Sequence, residues 1–523
     1  MTTSFEISSI LNPVQAQETS RQENVEVLPL IQKLCDVLET QRIAYCHWKS
    51  NDVIERSANG QNDLDLLISR SDATRFTEIL AQLEFKQTKA PLEKQMPAVL
   101  DYYGYDPEAD KFIHVHAHYQ LIMGHDMTKN FRLPIETPYI ESAVQKNIFR
   151  IPEAEFEFVV FVVRMILKHS TWDTILGREG KLKTSERREF SYLQERIDQT
   201  RVNEILNCHL PYISADLFAN CVKALQPGSS VWARIKAGQE LQKCLQPNAI
   251  YPLPFDVFLK VWRRGISMIR HRIFKSSSKY QLQIGGAMIA ILGGDGAGKS
   301  TAISGLYKWL SKTFQTARIH MGKPSWSPLT IAVRSILKIG QLIHLYPLEA
   351  SYEETLEQRS FVSPGYPFLI REVCRARDRY RTYVKARRFA AQGGLVLLDR
   401  FPLPELKLMD GLQTERFIRD LEVGSHPKQF LSPHLGSRFA RYLIKLEESY
   451  YYGITLPEIA TVLRVHPDIA VQRKTDEEPA SVHARSSEIW HLDWEQTNAH
   501  IIDASKSKAE VMAELKAWIW PKL

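Results

Sequence analysis

The chain reads as an α/β protein: a C-terminal half built on a three-layer parallel sheet, an N-terminal α+β domain, and a helical middle. Three observations carry this reading. The apolar run Ala287 to Leu292 has the length of a buried strand and stops at Gly293-Gly294-Asp295-Gly296-Ala297-Gly298-Lys299-Ser300-Thr301, which opens a helical pattern with Leu306, Trp309 and Leu310. Two further apolar runs, Leu395 to Leu398 and Ile459 to Val465, read as strands of the same half. Near the other end, Ile43 to Trp48, Asp63 to Ile68 and Phe112 to Tyr119 read as strands set among helices.

At 523 residues the chain exceeds one ordinary core. We divide it into a loose tail (1–25), an N-terminal domain (26–150), a helical connecting region (151–280) and a C-terminal domain (285–523). A hydrophobic fraction of 44% and a charged fraction of 24% are those of a water-soluble globular protein. A net charge of +7 suits small anionic substrates and carries no nucleic-acid signature at this length. The six cysteines lack zinc-like spacing and read as reduced, mostly buried thiols of a cytoplasmic protein. The polar stretch Met1 to Asn24 has no apolar core of a secretory signal, and no apolar run reaches the ~20 residues of a membrane span. Oligomeric state is not legible.

In the N-terminal domain a helix covers Val27 to Thr40, with Leu28, Ile31, Leu34, Val37 and Leu38 at helical spacing. The strand Asp63-Leu-Asp-Leu-Leu-Ile68 puts Asp63 and Asp65 on one face, where paired carboxylates call for a cation between them. His114, His116 and His118 share one face of the strand Phe112 to Tyr119, an arrangement equally consistent with a solvated strand face. The pattern resembles an uncharacterised branch of the nucleotidyltransferase fold. Lys49-Ser50 stands for its Lys-Gly turn, Asp63 and Asp65 for its Asp-hydrophobic-Asp, and His116 to Tyr119 for its third motif. That resemblance implies metal ligation by Asp63 and Asp65. Ser50 replaces a glycine and His116 replaces the third carboxylate, which disfavours a two-Mg²⁺ site and favours a softer ion such as Mn²⁺ or Zn²⁺.

The middle, Pro152 to Gln246, is helical and shows no chemistry. From Phe255 to Lys275 an apolar stripe (Phe255, Phe258, Leu259, Trp262, Ile266, Ile269, Ile273) runs among Lys260, Arg263, Arg264, Arg270, Arg272 and Lys275. Such a helix can lie weakly on an anionic membrane surface. More commonly its stripe faces a core and its basic face faces water, and this is the expectation here.

In the C-terminal domain the match to GxxxxGK[ST] is complete, with a strand before it and a helix after it. Glycines let backbone N–H groups turn inward around phosphates, and the helix N-terminus adds positive potential. Lys299 would reach the β- and γ-phosphates of ATP, and Ser300 would hold Mg²⁺. The helix Ile370 to Ala390 carries eight cations. After it, Leu395 to Leu398 ends in Asp399-Arg400: a carboxylate placed for Mg²⁺ or for the acceptor, and an arginine placed for a phosphate.

Together, Gly293 to Thr301 and Asp399-Arg400-Phe401 resemble thymidylate kinase and related nucleoside monophosphate kinases. By that resemblance Ala376-Arg-Asp-Arg379 supplies an acceptor-contacting Arg379, and His466 to Lys474 matches a turn and lid in which Arg473, Lys474 and Arg485 cover the transferring phosphoryl group. It implies an ATP- and Mg²⁺-dependent kinase acting on a nucleoside monophosphate or similar anion. Four departures bear on the acceptor: Leu292 replaces an acid, His320 to Pro324 replaces the acceptor loop, Pro402 to Glu405 replaces a polar stretch, and 407–457 is an insertion without counterpart. Nucleotidyl transfer by the N-terminal domain and a non-catalytic ATP-dependent switch are the alternatives.

Overall fold

The computed structural model describes residues 27–170, 182–272, 279–343, 345, 365–403, 406, 412, 414, 437–494 and 497–523. The expected tail, the end of the basic amphipathic segment from residue 273, and most of the insertion before residue 437 lie outside the described residues.

The first sheet contains β1 (Tyr45–His47), β2 (Leu64–Ile68), β3 (Lys86–Lys89), β4 (Val99–Asp106) and β5 (Lys111–His118). Its order is β1-β2-β5-β4-β3, with only β2 and β5 parallel. Alternation along β5 sends Ile113, Val115 and Ala117 inward and leaves His114, His116 and His118 on the opposite face. The inward face packs on Ile31, Leu34 and Leu38 of the helix Pro29–Thr40 and on Phe76, Ile79 and Leu80 of Ala73–Gln82. Two short ribbons follow, β6 (Ile122–Met123) with β7 (Phe131–Arg132), and β8 (Val144–Lys146) with β9 (Phe149–Ile151).

The helical middle is organised on Ala154–His169, whose Phe158 to Val163 are all buried. Helices beginning after Asp198, Ser214 and Ser230 are each capped by that side chain. Cys46, Trp48 and Leu67 of the first sheet belong to this same core.

The helix Leu253–Arg272 departs from expectation. Phe255, Phe258, Trp262 and Ile269 are 45%, 57%, 54% and 48% exposed, so the apolar stripe does not face a core among the described residues. The polar side docks instead: Arg263 Nη1 donates to the Met127 carbonyl at 2.6 Å and to Gln95 at 3.2 Å, Arg270 pairs with Glu93, and Asp256 is buried beside Lys260. Backbone carbonyls and a buried carboxylate on the neighbouring surface satisfy these cations better than water-facing positions would.

The second sheet has β11 (Ala287–Gly293), β12 (Thr316–His320), β13 (Leu395–Asp399), β14 (Ile459–Arg464) and β15 (His500–Asp503), all parallel in the order β12-β13-β11-β14-β15. Ile289 and Ile291 join a core with helices Lys299–Leu310 and Lys508–Lys522, while Met288, Ala290 and Leu292 pack against Tyr366–Ala391. Burial on both faces is what an unbroken apolar run demands, and it makes the three layers. A short strand before this sheet, β10 (Gln281–Leu282), pairs with β3 and ties the two sheets together, and Leu282 N donates to the Gly393 carbonyl at 2.9 Å. The fold is α/β.

Candidate functional site

Parallel strands bring their carboxyl ends to one edge, and ligands of such sheets bind there. Register sets Asp399, the last residue of β13, beside Ile291, two residues before Gly293. The loop turns back on itself: Ala297 N donates to the Gly294 carbonyl at 3.3 Å and Lys299 Nζ to the same carbonyl at 2.7 Å. Gly298 is the helix N-cap, in the left-handed region at φ +86°.

A cleft of about 810 Å³ opens over this edge. Gly294 to Thr301 form its floor, and Asp399, Arg400, Arg473 and Lys474 line it. Seven cationic side chains (Lys299, Arg318, Arg400, Arg473, Lys474, Lys506, Lys508) face three acidic ones (Asp295, Asp399, Glu477). That excess suits a polyanion. Ser300 and Asp399 both line the cleft and carry oxygen atoms, the hard ligands Mg²⁺ takes.

Individual groups are held as follows. Asp399 is 3% exposed, and Arg318 Nη2 lies 3.3 Å from its Oδ2. Arg318 also donates to Ser304 Oγ at 3.2 Å. Arg473 is anchored to the Ala504 carbonyl at 2.7 Å and the Ser505 carbonyl at 3.2 Å. Arg485, on the helix Pro479–His491, bonds Asp295 Oδ2 at 2.9 Å and Glu477 at 3.1 Å. Burial pushes the Asp295 carboxyl up, but the Arg485 hydrogen bond and the Lys299 charge outweigh it and hold it below its usual range. Arg379 is 2% exposed; it donates to the Met321 and Gly322 carbonyls at 3.1 and 3.2 Å and to the Tyr451 hydroxyl, and so holds the turn after β12. Beside that turn is a smaller cavity of about 240 Å³, lined by Lys323, Trp326, Arg334, Arg375 and Asp378. Arg334 lies over the Trp326 ring at 4.3 Å.

Sequence reading missed Arg318 and His320. Both line the cleft from alternate positions of β12, so period-2 alternation toward Asp399 was the available signal.

Asp63 and Asp65 lie on the other sheet, outside this cleft. Asp65 Oδ1 is 2.9 Å from Lys49 Nζ, 3.2 Å from His116 Nδ1 and 3.5 Å from His118 Nε2. Burial alone would raise the Asp65 carboxyl, but Lys49 and the two histidines hold it well below the usual range. Burial pulls the His116 imidazole down, yet its bonds to Asp101 and Asp65 push it up to about 9. His118 is pulled down by burial to about 4. Behind the Lys49-Ser50 turn, Ser50 N donates to Glu189 Oε1 at 3.1 Å, and Glu189 pairs with Arg164 at 2.7 Å.

No family model matches the chain. In two strains of Escherichia coli, a protein named "Uncharacterized ATP-binding protein YghR" is 24% identical over 233 residues, spanning 43% of this chain and 84% of its own length. Among solved structures, a thymidylate kinase from Candida albicans is 16% identical, covering 45% of this chain and 91% of its own, with a TM-score of 0.27. A deoxyadenosine kinase from M. mycoides is 13% identical over 45% of this chain and 98% of its own, with a TM-score of 0.24. The chain is similar to these proteins in part of its length.

Proposed function

We propose that the C-terminal half is an ATP-dependent phosphotransferase, resembling the nucleoside monophosphate kinases, that moves the γ-phosphoryl group to a nucleoside monophosphate or similar small anion. The observation that carries this is the shared cleft: the glycine loop, Lys299, Ser300, Asp399 and Arg400 at one sheet edge with a surplus of cations. The name of the YghR relative points to ATP as well.

Transfer breaks the bond between the γ-phosphorus and its bridging oxygen and forms one to an acceptor oxyanion, so no proton need be removed from a phosphate acceptor. The loop N–H groups and Lys299 hold the triphosphate, and Arg400 and Arg473 neutralise charge on the moving group. Ser300 and Asp399 would hold Mg²⁺, which supplies charge neutralisation on the β- and γ-oxygens. Arg318 would then exchange Asp399 for phosphate. The cavity beside Arg334 and Arg375 suits an acidic acceptor with a planar group against Trp326.

The test is label transfer from γ-labelled ATP across a panel of monophosphates, with Lys299→Ala and Asp399→Ala as controls. Turnover unaffected by either substitution would end the proposal. Label moving from the α-phosphate, and lost in Asp63→Ala, would instead favour nucleotidyl transfer at the N-terminal sheet. Tight ATP binding with no turnover on any acceptor would favour a switch.

A further inference from the structure

The polar face of the first sheet carries a constellation that phosphotransfer does not use. Register aligns Asp65, His116 and Asp101 across β2, β5 and β4, and sets His114 opposite Tyr103 one row along. Asp101 Oδ1 stands 3.1 Å from Nε2 of both His114 and His116. One carboxylate oxygen therefore accepts from two ring N–H groups, which turns both Nδ1 atoms the other way. There, His114 Nδ1 is 3.1 Å from Asp63 Oδ1, and His116 Nδ1 is 3.9 Å from Asp63 Oδ2 and 3.2 Å from Asp65 Oδ1.

A ring nitrogen whose partner nitrogen carries the hydrogen presents a lone pair, as a carboxylate oxygen does. Each of these close contacts needs a positive centre between its partners, a ring proton or a metal ion. Two imidazolium rings only 4.1 Å apart would repel one another, whereas a single dication shared by both rings serves every contact at once. The spacing agrees. Donors at about 2.1 Å around a tetrahedral ion stand about 3.4 Å apart, and the contacts run from 3.1 to 3.9 Å.

We propose that Asp63, His114 and His116 bind a first-row transition-metal dication of the Zn²⁺ type, with Asp101 orienting both histidines from behind. Two imidazoles and a carboxylate select such an ion over Mg²⁺. A carboxylate that accepts the second ring N–H is the usual outer partner of a metal-bound histidine. The neighbouring trio Asp65, His116 and His118 is the weaker choice, because Asp65 Oδ1 already pairs with Lys49 and Asp101 does not orient His118. The Asp63 side chain is 51% exposed, so the ion has an open side toward solvent, as in catalytic rather than structural zinc sites. The proposal does not rest on the kinase reading.

The test uses the full chain, stripped with a chelator and titrated with Zn²⁺ against a chromophoric competitor, and with Co²⁺ for its visible absorption. One ion per chain is expected. His114→Gln, His116→Gln and Asp63→Asn should each weaken Zn²⁺ binding by ~100-fold or more, and Asp101→Asn by ~10–100-fold with an altered Co²⁺ spectrum. His118→Gln and Lys299→Ala should leave binding unchanged, and circular dichroism checks that each variant is folded. The half-exposed Asp63→Asn serves where a histidine variant does not fold. Absence of Zn²⁺ binding, affinity unaltered in Asp63→Asn or His116→Gln, or displacement by equimolar Mg²⁺ would overturn the site. A satisfied network of aspartates and protonated histidines would then be the whole of it.

Discussion

The glycine loop before Lys299 is packed against the helix Pro467–Arg473, and two glycines of the loop allow that packing to be measured. Both lie at positive φ, Gly296 at +77° and Gly298 at +86°. A Cβ on Gly296 would stand 2.5 Å from the Ala470 carbonyl oxygen and 2.9 Å from Ala470 Cα, whereas one on Gly298 meets nothing within 4 Å. Alanine at either site carries the left-handed penalty of about 1–2 kcal/mol. Only Gly296→Ala must also displace main chain, which adds about 1–3 kcal/mol as other overpacked sites do. The expected losses are then about 1–2 kcal/mol for Gly298→Ala and about 2–5 kcal/mol for Gly296→Ala. For a domain of this size about 2–4 °C is lost per kcal/mol, so Tm should fall by about 2–8 °C and about 4–20 °C respectively. Thermal unfolding of the nucleotide-free protein, followed by tryptophan fluorescence, reads the difference directly. Ala470→Gly should not rescue Gly296→Ala, because the clash is with backbone. Equal losses for the two variants, or rescue by Ala470→Gly, would refute the packing.

Three further outcomes are expected. Lys299→Ala should lower kcat/KM for phosphoryl transfer by about 10²–10³, as loss of one transition-state donor does, while thermal stability changes little; an unchanged kcat/KM would contradict the assignment. Burial pushes the Glu157 carboxyl up to about 8 against the opposing hydrogen bond from Asn51. Its folded form stays protonated where the unfolded chain ionises, so stability is full below pH 4.5 and declines as pH rises to about 8. Glu157→Gln should flatten that decline, by the order of a few kcal/mol, in urea unfolding at pH 5.5 and 8.5 (roughly 1.4 kcal/mol for each tenfold difference in proton affinity between the folded and unfolded chain); an unaltered slope would sink the reading. On the docked helix, Trp262→Ser should cost less than about 0.5 kcal/mol, and its neighbour Arg263→Ala about 1.5–3 kcal/mol through two lost charged hydrogen bonds. The reverse order in chemical denaturation would mean that the apolar stripe is buried after all.

What was legible in the chain is what local pattern determines. The loop Gly293 to Thr301, the strand ending in Asp399 and the shared face of the three histidines follow from adjacency and from periods of 2 and 3.6, and the structure has them as strand, helix start and strand face. What was not legible depends on partners far along the chain. Asp101 lies in β4, a stretch without a motif, and only register brings it beside His114 and His116. The exposed stripe on Leu253–Arg272 could not be read from its own periodicity. The carbonyls of Gln95 and Met127 that hold Arg263 are more than a hundred residues away. Arg379, which by resemblance reads as an acceptor-contacting arginine, bonds the Met321 and Gly322 carbonyls, partners that its own helix pattern does not reveal.

The two polar sites are also less separate than the sequence makes them. Tyr103 stacks flat on His114, with ring centres 4.1 Å apart and an interplanar angle of 7°. The same ring meets Phe314 of the C-terminal domain at 5.5 Å and Tyr280, at the end of the connecting region, at 5.1 Å. Phe314 belongs to one core with Trp309 and Leu310, which end the helix that Lys299 begins. Trp520 adds a hydrogen bond to the Glu84 carbonyl at 3.1 Å, and Lys516 an ion pair to Asp110 at 2.7 Å, along the same seam. Close-packed aromatic rings transmit displacement because they have few alternative arrangements. The helix that follows the glycine loop thus packs, through Phe314, against the ring that covers one face of His114. Tyr103 therefore joins the two halves by packing, alongside the β3–β10 pairing.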